Sequence, residues 1–240
     1  MTEFRPTRFQ MIPPIIKNLI IINVLVFIAQ NTFENNPSFN IENIFALHAV
    51  QSGFFRPHQL VTYLFLHGGF AHIFFNMFAL WMFGSTLENF WGPKRFLIFY
   101  MACGIGAGLL HLFILWRELI PAMQELHQMP LDMQEQYLHN PNTSFNGIAI
   151  NGATLGASGA VFGCLAAFGY LFPNTEMIIL PIPFPIKAKW FVLLYAGMEL
   201  FLGIQNSAGD NVAHWAHLGG AGVGILMVLY WKRNDRRNFY

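Results

Sequence analysis

The chain has 240 residues, 55% of them hydrophobic and only 10% charged, with a formal net charge of +1 at pH 7. A soluble domain carries roughly 25% charged residues, so this composition excludes an ordinary water-facing surface. The near-zero charge balance gives no reason to expect a nucleic-acid partner. The few charges fall between long apolar runs, the distribution of a multi-pass membrane protein. Met1–Pro14 is polar and Pro-rich and does not read as a signal peptide.

Six runs approach the roughly 20 apolar residues that a membrane helix needs. They are about Ile15–Gln30, Leu60–Phe83, Phe96–Trp116, Ile150–Phe172, Ala188–Ile204 and Val212–Trp231. The first and fifth are short; Lys17 can snorkel to the surface from the first. Between the first and second runs, Asn31–His58 is polar and then aromatic. Arg117–Ala149, between the third and fourth, mixes Met, Leu and Tyr with acids. Both connections suit short amphipathic helices at the interface. Cys103 and Cys164 lie inside apolar runs and read as small buried residues rather than a disulfide.

Lys and Arg set the orientation. Arg5, Arg8 and Lys17, then Lys94 and Arg95, then Lys187 and Lys189, then Lys232, Arg233, Arg236 and Arg237 fall on one side; only Arg56 and Arg117 fall on the other. The positive-inside rule makes the first side cytoplasmic and puts both termini there, as an even number of spans requires. The expected division is a cytoplasmic N-terminal segment 1–14, a six-span membrane domain 15–231 and a basic cytoplasmic tail 232–240. The expected fold class is all-α and polytopic, in a bacterial cytoplasmic membrane.

Strongly polar groups inside spans are expensive and so mark function. Span two opens with His67, His72 and Asn76, the last two sharing a face at a spacing of four. Span four opens with GASG around Ser158, and span six with His214 and His217. Spans two, four and six run the same way, so the three sets fall at similar depth, toward the outer side. Gly159 and Gly163, and Gly220 and Gly224, form GxxxG pairs that permit spans four and six to pack closely. Ser158 by itself reads as a packing residue. With a histidine in reach it reads as a nucleophile, because a serine hydroxyl needs a base to take its proton. His217 or His214 is that base. His72, Asn76 and the Ser158 backbone N–H are donors for an oxyanion. No Asp or Glu in spans two, four or six is placed to orient the histidine, so a Ser–His dyad is expected, not a triad.

Three stretches sharpen this reading: FLHGGFAHIFFNMFALWMFGSTLE (Phe65–Glu88), GASGAVFG (Gly156–Gly163) and AHLGGAGVG (Ala216–Gly224). In order and spacing they resemble the six-span core of the rhomboid intramembrane serine proteases, in their prokaryotic form. The resemblance implies Ser158 as nucleophile and His217 as base, His72 and Asn76 as oxyanion donors, and His67 as a structural or water-ordering residue. His214, Gly156, Gly159 and Phe162 stand as supporting residues, with His214 the second choice as base. It implies cleavage of transmembrane segments of other proteins, without metal or other cofactor. Substrate would enter laterally, past span five and the connection near Gln205–Asn211. Two departures stand out. His58-Gln59 occupies the place where many members carry Trp-Arg, and Phe162 the place where some carry Tyr. Two further readings compete: an inactive rhomboid-like protein that binds membrane clients, and a haem- or metal-binding protein using His72 with His214 or His217. No HExxH motif supports a zinc protease.

Overall fold

The computed structural model describes residues 9–34, 39–140, 144–145, 148–178, 184–205 and 213–234. Ten α-helices occur in chain order among them. They are α1 (Pro14–Phe33), α2 (Ile41–Phe45), α3 (Gln59–Thr62), α4 (Phe70–Ala79), α5 (Ser85–Trp91), α6 (Pro93–Leu126), α7 (Leu131–His139), α8 (Ser158–Leu171), α9 (Ala188–Gln205) and α10 (His214–Asn234). A π-helical turn, Leu80–Gly84, joins α4 and α5 into one rod, Phe70–Trp91. The strands are two-residue pairs; the one that matters is β1 (Leu47–His48) against β4 (Ala153–Thr154), antiparallel. The protein is an all-helical, multi-pass membrane protein.

Three of the helices, Pro14–Phe33, Phe70–Trp91 and Pro93–Leu126, are long and apolar enough to cross a membrane by themselves. The other long helices differ for visible reasons. Lys189 and Glu199 dilute the hydropathy of α9, and histidines and glycines that of α10. α8 has 14 residues, about 21 Å at 1.5 Å per residue, against a hydrocarbon thickness of about 30 Å. Ten of its residues are buried, because α6, α9, α10 and the π turn surround it. Such a helix is shorter than the hydrocarbon layer, and the Ile150–Ala157 segment leads into it.

Lipid is as apolar as leucine, so helix association here rests on close packing. A methyl group on Gly220 would overlap the Gly159 carbonyl oxygen, and one on Gly224 would come within 2.8 Å of the Gly163 oxygen. α8 and α10 therefore touch backbone to backbone. Both cysteines are buried and free.

The helix ends differ from expectation in several places, among them the end of the second rod at Trp91 rather than Phe83. The second span starts at Phe70 rather than Leu60. Leu60–Phe65 instead forms α3 and a 3-10 turn (Tyr63–Phe65), and Gly69 at φ 152° turns the chain into α4. Irregular backbone at this depth survives because it is enclosed by protein: Tyr63, Leu64 and Leu66 are buried. The third span runs ten residues past Trp116, since Leu119, Ala122 and Leu126 have Ala49 and Ile150 to pack against. The fourth begins at Ser158, not Ile150, because β4 and Gly156 (φ 131°) hold the preceding residues extended.

The first connection carries α2 and α3, and the second carries α7. His58-Gln59, where Trp-Arg was the usual pair, ties the first connection together. Gln59 is fully buried; its Nε2 donates to the carbonyls of Phe54 (2.8 Å) and Ile44 (3.2 Å), and its Oε1 accepts from the Arg56 N–H (3.1 Å). His58 Nε2 bonds the Ile44 oxygen at 2.8 Å. At the other end, Glu88 caps α1, accepting from the N–H groups of Ile15 and Ile16 at 2.9 Å each. Arg95 lies over the Trp231 ring at 4.3 Å, and Lys232 over Tyr170 at 5.4 Å. Lys94, Arg95, Lys232 and Arg233 thus share one end of the bundle, opposite the polar residues that open α4, α8 and α10.

Candidate active site

α8 begins at Ser158, and its first intrahelical bond runs from the Val161 N–H to the Ala157 oxygen at 3.0 Å. The N–H groups of Ser158, Gly159 and Ala160 precede that bond, at the positive end of the helix dipole. Ser158 is half-buried. Its position is fixed from behind. The Gly156 N–H donates to the Tyr63 carbonyl at 2.9 Å, and the Tyr63 hydroxyl donates to the Gly104 carbonyl at 2.7 Å.

His217, in the first turn of α10, lies beside it, with Nε2 2.8 Å from Ser158 Oγ. His214 lies one turn earlier, and its Nδ1 is directed to Glu199, not to the serine. Geometry therefore separates the two histidines that spacing left open. Phe162 stacks on His217 with ring centroids 4.2 Å apart and planes 4° apart.

The oxyanion candidates converge from α4. The Gly68 N–H donates to His72 Nδ1 at 3.3 Å, which leaves Nε2 as the N–H of the neutral ring. That Nε2 faces Gly156: a Cβ there would lie 2.8 Å from it and 3.7 Å from Ser158 Oγ. Only glycine fits, both for this space and for φ 131°. Asn76 is buried, and its Nδ2 has no acceptor among the described residues. An unpaired buried donor is costly unless something visits it. His67 is edge-on to His72, centroids 5.1 Å apart, and Gln30 of α1 holds it through its backbone: the His67 N–H donates to Gln30 Oε1 at 2.9 Å. His72, Asn76, Ser158, Phe162, Tyr195 and His217 all line one cavity of about 1300 Å³, with walls from α4, α8, α9 and α10.

One member of the site went unread in the sequence. Glu199 of α9 is buried, and its Oε2 lies 2.9 Å from His217 Nδ1 and 2.6 Å from His214 Nδ1. The expectation of a histidine without a carboxylate partner is corrected. The acid comes from α9, outside the three runs that carry the serine, the histidines and Asn76. The signal was available, since Glu199 is the lone acid within the Ala188–Ile204 run. The donor atoms of Glu199, His214 and His217 lie within 4.8 Å of one another, a metal-ligand set in composition. The hydrogen bonds already occupy them: His217 uses one ring nitrogen on Ser158 and the other on Glu199. His72 is not part of that set.

His48 and His111 have protein partners: His48 bonds the Asn151 oxygen at 3.2 Å, and His111 the Thr154 hydroxyl at 2.8 Å. Residues 206–211 of the expected entry connection lie outside the described residues.

The described helices form a membrane bundle that brings a serine, two histidines and an asparagine to one layer. Comparison with known proteins is consistent with it. A family model described as the Rhomboid domain matches residues 55–234. The chain is 34% identical over 172 residues to Rhomboid protein 1, mitochondrial, of Saccharomyces cerevisiae, covering 72% of this chain and 41% of the relative. It is 25% identical to RHOMBOID-like protein 12, mitochondrial, of Arabidopsis thaliana (94% of this chain, 60% of the relative). It is 27% identical to Rhomboid protease GluP of Bacillus subtilis (78% and 29%). The chain belongs to the rhomboid family. It spans 29% to 60% of the length of these relatives. Their names point to mitochondria as well as bacteria, so the expected bacterial inner membrane finds no support in them. Lys and Arg bias fixes orientation, not organelle.

Proposed function

We propose that this chain is an intramembrane serine endopeptidase that cleaves transmembrane segments of membrane-protein substrates. The observation that carries this reading is the 2.8 Å contact between His217 Nε2 and Ser158 Oγ. Ser158 Oγ attacks the scissile carbonyl carbon as His217 Nε2 takes its proton. The carbonyl oxygen, now an oxyanion, accepts from His72 Nε2–H, Asn76 Nδ2–H and the Ser158 N–H. His217 then gives its proton to the leaving amine as the C–N bond breaks. Water releases the acyl group by the same steps in reverse roles. Phe162 holds the plane of the His217 ring, and Gly156 and Gly159 allow the close approaches of His72 and α10.

In this reading residues 15–231 form the catalytic membrane domain, flanked by segments 1–14 and 232–240 on the cytoplasmic side, and substrate reaches the cavity from the bilayer. The test is labelling of the detergent-solubilised protein with a fluorophosphonate, beside cleavage of a reporter transmembrane substrate. Both signals are expected in the wild type and lost in Ser158→Ala and His217→Ala. A folded wild type that neither labels nor cleaves would replace this reading with that of a client-binding protein.

A further inference from the structure

We propose that Glu199 is a positioning residue that completes a Ser158–His217–Glu199 triad, with His214 as the second donor that holds its carboxylate; this deepens the protease reading and rests on it. An ionised carboxylate only accepts hydrogen bonds. Glu199 Oε2 lies 2.9 Å from His217 Nδ1 and 2.6 Å from His214 Nδ1. Both Nδ1 atoms therefore carry the hydrogen. In neutral His217 this leaves the lone pair on Nε2, the atom 2.8 Å from Ser158 Oγ. Glu199 thus selects the tautomer that a general base requires. The other tautomer would point an N–H at the serine and take no proton.

Burial makes the selection strong. Glu199 is 3% exposed, and His214 and His217 are 7% and 8% exposed. A buried carboxylate without donors is costly, so its two imidazole partners are what keep it in place. The two donors come from one turn of α10 and the acceptor from α9, so the carboxylate is gripped from a single direction. When the Ser158 proton moves to His217 Nε2 and the Oγ–C bond forms, the imidazolium meets the Glu199 charge. No proton passes on to Glu199. His214 acts through Glu199, and its effect on the serine is indirect.

The experiment compares wild type, Glu199→Gln, Glu199→Asp and His214→Gln for kcat and KM on the reporter across pH, with folding checked by circular dichroism. Loss of the triad acid in serine proteases lowers kcat by about 10⁴-fold. Glu199→Gln is expected to lower kcat by roughly 10²- to 10⁴-fold with little change in KM. Glu199→Asp should restore part of it, and His214→Gln should give the smaller loss. A second measurement needs no activity: ¹⁵N imidazole spectra in the Ser158→Ala background, where His217 is expected as the Nδ1–H tautomer. That state should be lost in Ser158→Ala/Glu199→Gln. Wild-type kcat in a folded Glu199→Gln, or an Nε2–H tautomer for His217, would overturn the proposal. So would loss of activity on chelation, which would assign the three donors to a metal. If Ser158→Ala still cleaved the reporter, the protease reading would fail while the spectra still decided the Glu199–His217 pair.

Discussion

The rings of Phe162 and His217 lie flat on each other, centroids 4.2 Å apart and planes within 4°. Phe162 sits one turn into α8 after Ser158, so the helix that carries Ser158 also carries the surface on which His217 rests. A stacked aromatic pair is worth about 1 kcal/mol beyond its buried area. Phe162→Ala is expected to lower kcat by roughly three- to tenfold, since each 1.36 kcal/mol is tenfold in rate. Phe162→Tyr keeps the ring and should stay near wild type. Steady-state cleavage of the reporter measures both.

The α8–α10 contact makes a sharper forecast from two glycines two residues apart. A methyl at Gly220 would collide with the Gly159 carbonyl oxygen, while nothing lies within 4 Å of a Cβ at Gly222. Gly220→Ala must push α10 away from α8 and stretch the His217–Ser158 contact. Overpacking of this kind costs about 1–3 kcal/mol, so a lower melting temperature and a loss of fluorophosphonate labelling of more than about tenfold are expected. Gly222→Ala should label as the wild type does. Equal labelling of the two variants would show that this close approach is not what sets the site.

Gln59 tests the loop knot. Replacing it with alanine strips the Phe54 carbonyl of its donor and the Arg56 N–H of its acceptor, while the Ile44 carbonyl keeps His58. Orphaned buried groups cost about 1–3 kcal/mol each. Gln59→Ala is expected to lower thermal stability by an amount in that range with a smaller effect on kcat, because no bond from Gln59 reaches the cavity. Thermal unfolding beside kinetics separates the two effects.

His48 links this connection to pH. Burial pushes its pKa below the usual 6.5, with hydrogen bonds to the Glu42 and Asn151 carbonyls opposing in part. The folded form prefers the neutral ring, and unfolding lets it charge. Its contribution to stability is therefore full above about pH 6.5 and is lost as pH falls through the lower folded value. The wild type should lose thermal stability between neutral and mildly acidic pH. His48→Gln should show a shallower loss over the same range; an unchanged slope would remove His48 as the cause.

Much of the site was legible because chemistry and spacing coincide. Ser158, His217, His72 and Asn76 are polar groups in apolar runs, and a polar group in lipid needs a reason. The spacing of Gly159 with Gly163, and of Gly220 with Gly224, announced which helices touch. His214 was ambiguous because two histidines at a spacing of three share a face, and a face does not say which ring reaches a given atom. The start of α4 was misread for a related reason. Leu60–Phe65 is apolar enough to join a span, yet it is buried in protein and turns before His67.

The sequence by itself determined that this chain lives in a bilayer, roughly where its apolar helices fall, and that one serine and two histidines lie at one depth, since hydropathy, Lys and Arg bias and residue spacing are local properties. The tertiary structure decided the rest. Glu199 meets His217 only through the rotation of α9 about its own axis and its distance from α10, and neither is written in one helix. Gln59 closes its loop by bonds to carbonyls, which every residue carries and no sequence pattern marks. His217 rather than His214 reaches Ser158 because both rings give Nδ1 to Glu199 and α10 presents the later ring to α8.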